Sequence, residues 1–491
     1  MALGEVTVNR QFDQLLDKVR REGGEIRSDS REVGKGDIFV AVPGVNADGA
    51  RFIPPAVEAG ASTIVCLPGR AEAEAARAAG RTVICHEDPR EALWRLAEAR
   101  WHTGSLPLRV LGVTGTNGKT TSAYLLEHLF TATGHKVGVL GTVSYRWPGH
   151  SEAAPLTTPD PLRVHAMLAA MAQAGVDIAV MEVSSHALDQ QRVCGVPFAG
   201  ASFSNLTQDH LDFHQDMESY FRAKSRLFLE LPRADKVMAI NGDDPWGRRL
   251  LELCPRALSF GLHRALPQQR HLWGELLSAG TDGCHLRMHL DGQQWELRSP
   301  LVGAFNASNL LSVQALALEL GLMPDDLRHL EDFHGVCGRL ERVPNARKLH
   351  VFVDYAHTPD ALVNVLKALR GAGFKRIVTV FGCGGNRDRT KRPIMGEAVA
   401  RYSDVAVLTS DNPRFEDPEA ILEDVLPGLR EAREVVVEVD RRKATARAVE
   451  MLGPDDALLI AGKGHEDYQI IQGTKHHYSD QEVVRELLGC A

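Results

Sequence analysis

"VLGVTGTNGKTTSAYLLEHLF", Val110 to Phe130, decides how the chain is read. "RVLGV", Arg109–Val113, is a short apolar run with the character of a buried strand. "TSAYLLEHLF", Thr121–Phe130, has helical character. Between them runs a glycine-rich turn ending Gly118-Lys119-Thr120. That context is what a phosphate-binding loop requires: glycines let backbone N–H groups wrap phosphate oxygens, Lys119 reaches the terminal phosphates, and Thr120 can ligate Mg²⁺. The helix N-terminus adds its dipole. A plain glycine-rich turn is the alternative, and it needs neither flanking element.

Working outward, the same strand–loop–helix pattern repeats. "DIAVMEV" and "KVMAIN" are continuous apolar runs, as expected of strands covered on both faces. "HLRMHLDGQQWELR" reads as a hairpin turning at Asp291-Gly292. After Gly338 the alternation restarts: "KLHVFVDY", "RIVTVFG", "DVAVLTS", "EVVVEVD" and "ALLIAGKG" are strands. "TPDALVNVLKAL" is a helix capped by Thr358 with Pro359 in its first turn. Upstream, "DIFVAV" and "STIVCL" are strands, Glu72–Ala79 is helical, and "WHTGSLPLR" is a polar linker. Strands alternating with helices indicate α/β architecture with parallel sheets, and 491 residues fit roughly three domains.

Composition narrows the function class. The formal net charge of -8 shows no basic excess, which argues against a nucleic-acid partner. The N-terminus lacks a basic-then-apolar secretion pattern, and no apolar run approaches a membrane span. The eight cysteines are scattered without a CxxC pair, as expected of reduced thiols in the cytoplasm.

Three further features carry chemistry. Glu182 ends an apolar strand, where a second carboxylate for Mg²⁺ is expected; the alternative is a strand-end carboxylate facing water. "NLTQDHLDFHQD" gathers Asp209, His210, Asp212 and His214. The two histidines are four apart, which suits one helix face and is by itself weak evidence for a metal. In "SYFRAKSRLFLEL", Lys224 falls on the apolar stripe of Phe221, Leu227, Phe228 and Leu231. It either snorkels outward or is buried, where desolvation favours the neutral, nucleophilic amine.

Taken together, "VTGTNGKTT", "MEVSSHAL", "NLTQDHLDFH", "FRAKSRLF", "GAFNASNL", "CGRLERV", "DYAHTPDAL" and "GKGHEDYQ" resemble the Mur ligases of bacterial peptidoglycan synthesis, from about Ser28 to the C-terminus. The resemblance implies a small N-terminal α/β domain (1–102) for the UDP end of the substrate. It implies a central phosphate-loop ATPase domain with a mainly parallel sheet (103–338) and a C-terminal Rossmann-like domain (339–491) for the incoming amino acid. ATP would phosphorylate the terminal carboxylate of UDP-N-acetylmuramoyl-L-Ala-D-Glu, and an amine would attack the acyl phosphate. The lysine at position 224 would be carbamylated. By motif, Gly115, Thr116, Asn117, Gly118, Lys119, Thr120 and Thr121 would contact ATP. Thr120, Glu182, His210 and modified Lys224 would surround Mg²⁺. Asn306, Asn309, Arg339 and Asp354 would face the nucleotide or its γ-phosphate. Ser28, Ser30, Val45, Asn46 and Ala47 would meet the UDP moiety; Thr157, Thr158, Ser184, Gln190 and Arg192 would meet the muramoyl-dipeptide. Leu156 stands where the family more usually has asparagine.

Three loops of the C-terminal part leave strand ends: "GCGGNRD", "SDNPR" and "GKGHE". Ligands of parallel sheets sit outside such ends. Together these loops offer Arg387, Asp411, Asn412, Pro413, Arg414, Gly462 and Glu466. The arginines suit carboxylates and the acids suit ammonium groups. "FEDP", after Arg414, is expected only to start the next helix. Asp411-Asn412-Pro413-Arg414 matches the family's members that add meso-diaminopimelate, which carries two carboxylates and two ammoniums. The expected partners are small molecules, the expected state is a monomer, and the C-terminal domain is expected to close on ATP. A phosphate-loop kinase would need no such rim, and a folylpolyglutamate synthetase would not need D-N-P-R. A non-catalytic nucleotide-binding protein would not need Lys119, Glu182 and Lys224 together.

Overall fold

The computed structural model describes residues 2–44, 48–264 and 270–489. The chain is α/β and divides into two compact units, residues 1–259 with 315–321, and residues 260–314 with 322–491.

The first unit holds two sheets. The N-terminal one is four-stranded and parallel, in the order Ile26–Arg27, Ile38–Val40, Thr63–Cys66, Thr82–Cys85. Helix Pro89–Trp101 covers it with Leu93 and Leu96, and Asp88 caps that helix on Arg90 N. In the second sheet, five parallel strands run Pro232–Asn241, Phe198–Phe203, Arg109–Thr114, Ile178–Glu182, Val137–Leu140. Val113 pairs with Glu182 in register, so the phosphate loop and Glu182 leave the same edge of adjacent strands. The expected linker is polar, but Thr103 inside it is buried and 2.7 Å from His165 Nδ1.

The second unit contains the expected hairpin, extended to a meander by His271–Gly280. Its main sheet places His350–Asp354, Asp456–Ala461, Arg376–Phe381, Val405–Leu408 and Val435–Val437 side by side and parallel. Pro359–Gly371, Lys391–Tyr402 and Pro418–Val425 pack on one face. Arg441–Glu450 and Asp480–Leu488 pack on the other, giving a doubly wound layer structure. The "VVV" run is a three-residue edge strand with Val437 47% exposed, not a buried one. Edge position explains it: the strand pairs on one side only.

Candidate functional site

In the first unit the glycine-rich turn wraps tightly. Gly115 and Gly118 have φ of 145° and 87°, and a Cβ on Gly115 would lie 2.0 Å from Ser204 Oγ, so only glycine fits there. Thr116 N donates to Asn205 O at 2.9 Å, and Asn117 N to Asn205 Oδ1 at 3.0 Å. Helix Lys119–Ala132 starts here, and Lys119 Nζ folds back on the carbonyls of Gly115 (2.9 Å) and Thr116 (2.8 Å). Glu182 is fully buried. Its Oε2 accepts from Thr120 Oγ1 and Thr142 Oγ1, each at 2.9 Å, and its Oε1 from Thr142 N at 2.9 Å. The reading of a strand-end carboxylate facing water therefore fails.

Lys224 does not snorkel. On helix Met217–Leu229 it is 1% exposed, and its Nζ donates to Gly115 O at 2.8 Å. Its nearest aromatic ring is that of Tyr220, 4.8 Å away. Burial first, then the charge of Lys119, drives its ammonium well below the ordinary lysine range. Both causes favour the neutral amine over the ammonium.

The two histidines do not form one metal-facing pair. His210 precedes the short helix Leu211–His214 in a left-handed conformation (φ 54°), and its Nε2 lies 3.3 Å from Asp209 Oδ2. Burial, beyond what Asp209 recovers, lowers its pKa to about 4. His214 instead turns inward, with Nε2 2.9 Å from Ser185 Oγ.

Thr157, Thr158, Ser184, Gln190 and Arg192 are brought together beside Glu182. Thr157 Oγ1 is 3.1 Å from Thr142 Oγ1. Thr158 Oγ1 donates to Glu182 O at 2.8 Å and accepts from Ser184 N at 3.1 Å. Arg192 donates to Thr158 O at 3.1 Å and to Gln190 Oε1 at 2.7 Å. Leu156 is 48% exposed, and its carbonyl accepts from Tyr145 OH. Ser28 and Ser30 flank Asp29, which caps a short 3₁₀ turn. Val45, Asn46 and Ala47 lie outside the described residues.

In the second unit Asn306 and Asn309 are buried one turn apart, with Asn309 Nδ2 donating to Asn306 Oδ1 at 3.2 Å. Arg339 lies over the Tyr355 ring at 5.0 Å. Asp354 is buried and accepts from Leu340 N (2.6 Å) and Ala356 N (2.7 Å); burial raises its pKa. The three strand-end loops share one rim, as their parallel register requires. Gly385 N donates to Asn412 O at 2.9 Å, and Asn412 Nδ2 to Glu466 Oε2 at 2.9 Å. Arg414 donates to Gly385 O at 2.7 Å. A Cβ on Gly384 would meet Arg414 Nη1 at 2.9 Å and Arg387 Cγ at 3.7 Å, so both arginines flank this glycine. A Cβ on Gly462 would meet Asp411 Oδ2 at 2.6 Å.

Three family descriptions match in chain order. They are "Mur ligase family, catalytic domain" over residues 24–101, "Mur ligase middle domain" over 113–317, and "Mur ligase, glutamate ligase domain" over 338–464. A protein of Lawsonia intracellularis (strain PHE/MN1-00), named UDP-N-acetylmuramoyl-L-alanyl-D-glutamate--2,6-diaminopimelate ligase, is 56% identical over 463 residues, 94% of this chain and 95% of that one. The chain belongs to the Mur ligase family. A solved structure carrying the same ligase name is 32% identical to this Mur ligase, covers 94% of each chain and superposes with a TM-score of 0.67. Folylpolyglutamate synthase of Mycobacterium tuberculosis, complexed with ADP, shares the fold alone: 20% identity, TM-score 0.58, and 74% of this chain covered.

Several residues of this Mur ligase escaped the motif reading. Thr142, Asn205 and Thr207 hold the phosphate loop and Glu182. Arg392, Arg441 and Lys463 are buried cations beneath the rim. Glu416, expected only to lead into a helix, accepts from Arg392 Nη2 on both carboxylate oxygens, at 2.9 and 3.0 Å, and also accepts from Asn386 N. Asp417 is the residue that caps the helix. Among the described residues no three His, Cys, Asp or Glu side chains form a ready metal cage. A divalent ion at Glu182 and Thr120 would draw its other ligands from phosphate oxygens, water or a modified lysine, as Mg²⁺ sites commonly do.

Proposed function

We propose that this Mur ligase joins meso-2,6-diaminopimelate to the D-Glu carboxylate of UDP-N-acetylmuramoyl-L-Ala-D-Glu, converting ATP to ADP and phosphate through an acyl phosphate. The reaction is a cytoplasmic step of peptidoglycan precursor synthesis. The observation that carries the reading is the Asp411–Arg414 turn beside Gly384 and Glu466, in a chain whose other unit bears a phosphate loop. The named relatives support it. Among the described residues no helix is long and apolar enough to cross a membrane, in keeping with small-molecule substrates.

Gly115 to Thr121 bind the ATP phosphates, and Lys119 exchanges its two carbonyl partners for phosphate oxygens. Asn306, Asn309, Arg339 and Asp354 serve the nucleotide. Thr120, Glu182, His210 and carbamylated Lys224 would hold Mg²⁺, which would offset phosphate charge. The Lys224 amine attacks carbon dioxide, forms a C–N bond and sheds one proton, leaving a carbamate anion. Arg192, Gln190, Ser184, Thr157 and Thr158 orient the dipeptide carboxylate toward the γ-phosphate. Ser28, Ser30 and residues 45–47 hold the UDP end. Arg387 and Arg414 take the carboxylate of diaminopimelate remote from the reacting amine. The reacting amine, once deprotonated, attacks the acyl phosphate; the amide bond forms and phosphate leaves. The domain limits 1–102, 103–338 and 339–491 are part of this reading, as is action as a monomer.

Phosphate release from ATP with UDP-N-acetylmuramoyl-dipeptide and meso-diaminopimelate, lysine or no amino acid tests it. Release should require diaminopimelate. Release indifferent to the amino acid would sink the ligase reading.

A further inference from the structure

The rim assigned above to the amino acid is held from behind by side chains of its own loops and the following hairpin. Lys463, inside "GKGHE", has no exposed surface. Its Nζ donates to Asn412 Oδ1 at 3.1 Å and to Glu466 Oε2 at 3.2 Å. Ile470 N donates to the same Asn412 oxygen at 2.9 Å. With two donors on Oδ1, the Asn412 amide has one orientation, and its Nδ2 is thereby aimed at Glu466.

The hairpin Tyr468–Ile471 and Thr474–His477 continues the grip. Arg414 N donates to Ile470 O at 3.0 Å, and Gln472 N donates to Arg414 O at 2.6 Å. Gln469 Nε2 donates to Asp411 O at 2.6 Å. Arg414 itself is left-handed, φ 54°, which a non-glycine residue adopts only where its surroundings hold it there. The hairpin supplies hydrogen bonds on both sides of that residue.

We propose that Lys463 and Gln469 are positioning residues for amino-acid selection: Lys463 fixes the Asn412 amide and Glu466, and the Tyr468–His477 hairpin, through Gln469, fixes the backbone that aims Arg414. The inference rests on the diaminopimelate reading above. Lys463 is fully buried and Gln469 is turned to the Asp411 carbonyl, so each acts through a neighbour. Their loss should weaken recognition of the amino acid while leaving the ATP and UDP-substrate sites as they are.

The test is steady-state kinetics with each of the three substrates varied in turn, on the full chain. Lys463→Met keeps the stem and removes the donor. Its KM for diaminopimelate should rise about tenfold or more, the range of charge-assisted hydrogen bonds, while KM for ATP and the UDP-dipeptide stays within about twofold. Gln469→Ala, a part-exposed change that cannot empty the core, should raise the same KM about threefold to fivefold. His476→Ala, exposed on the outer strand of the hairpin, is the control and should match the wild type. Wild-type turnover that ignores diaminopimelate would overturn the reaction assigned above. A diaminopimelate-dependent wild type, with Gln469→Ala unchanged or all three KM values moved alike, would overturn this inference alone. If Lys463→Met does not fold, Gln469→Ala decides.

Discussion

Buried basic groups are treated in opposite ways in the two units. In the first, Lys224 and His165 are pushed toward their neutral forms, chiefly by burial. Among the described residues no carboxylate lies within salt-bridge distance of Lys224, whose partner is a carbonyl. In the second, every buried cation beneath the rim has a carboxylate. Arg392 meets Glu416 and Asp424 (2.7 Å), Arg441 meets Asp480 (2.8 Å), and Lys463 meets Glu466 (3.2 Å). Neutral buried groups are chemically available: an amine can be modified, and a site short of charge can take in anions with their counterions. Paired buried groups are committed to holding shape. On the proposed reaction, the first unit serves the chemistry and the second the discrimination.

The contrast breaks most readily at Lys224. Lys224→Ala should lower ligase turnover by roughly 10²–10³-fold, the scale of losing one preorganised charged group. Its fold should survive, because the residue leaves no unpaired partner charge. Added short carboxylic acids should restore part of the rate by filling the place of the carbamate; equal rates in variant and wild type would refute the role. Next comes Arg414→Ala. Measured as KM for diaminopimelate it should cost about 10–100-fold, with KM for ATP unmoved. Normal turnover of diaminopimelate would break the assignment of that arginine.

The smallest effect concerns His165, which is fully buried with its pKa lowered to about 4 by burial, against 6.5 unfolded. The unfolded chain binds the proton first. Stability is therefore full above about pH 6.5 and falls as pH drops toward 4, by at most about 3 kcal/mol. Urea midpoints at pH 7 and pH 4.5 should differ less in His165→Gln than in the wild type. An identical pH slope in both would show that this histidine is not the proton-linked group.

Sequence made the first unit's site readable because its parts are local or patterned. Gly115 to Thr120 is one contiguous loop, Glu182 ends an apolar run, and Lys224 interrupts a stripe at helical spacing. The rim's loops were readable for the same reason, since each lies just after a strand. Its supports were not. Arg441 and Asp480 are 39 residues apart, Arg392 and Asp424 are 32 apart, and Lys463 reaches back 51 residues to Asn412. Such pairs meet only once strand order is set, and nothing in local spacing marks them. Glu416 shows the same limit: between two prolines in a short turn and ahead of a helix, it reads as turn chemistry until Arg392 is seen beneath it. His210 and His214 show another limit: at four-residue spacing both rings pack near His186, but His210 stands ahead of the helix in a left-handed turn while His214 turns inward to Ser185.

The Gly115 carbonyl accepts from both Lys119 and Lys224. On the proposed reaction, nucleotide arrival withdraws the first donor and carbon dioxide withdraws the second. The two events thus compete for release from a common latch. Thermodynamic reciprocity then ties them: whatever factor nucleotide imposes on carbamate formation, the carbamate imposes on nucleotide affinity. Bicarbonate supply and nucleotide saturation become a single linked titration, readable from either end.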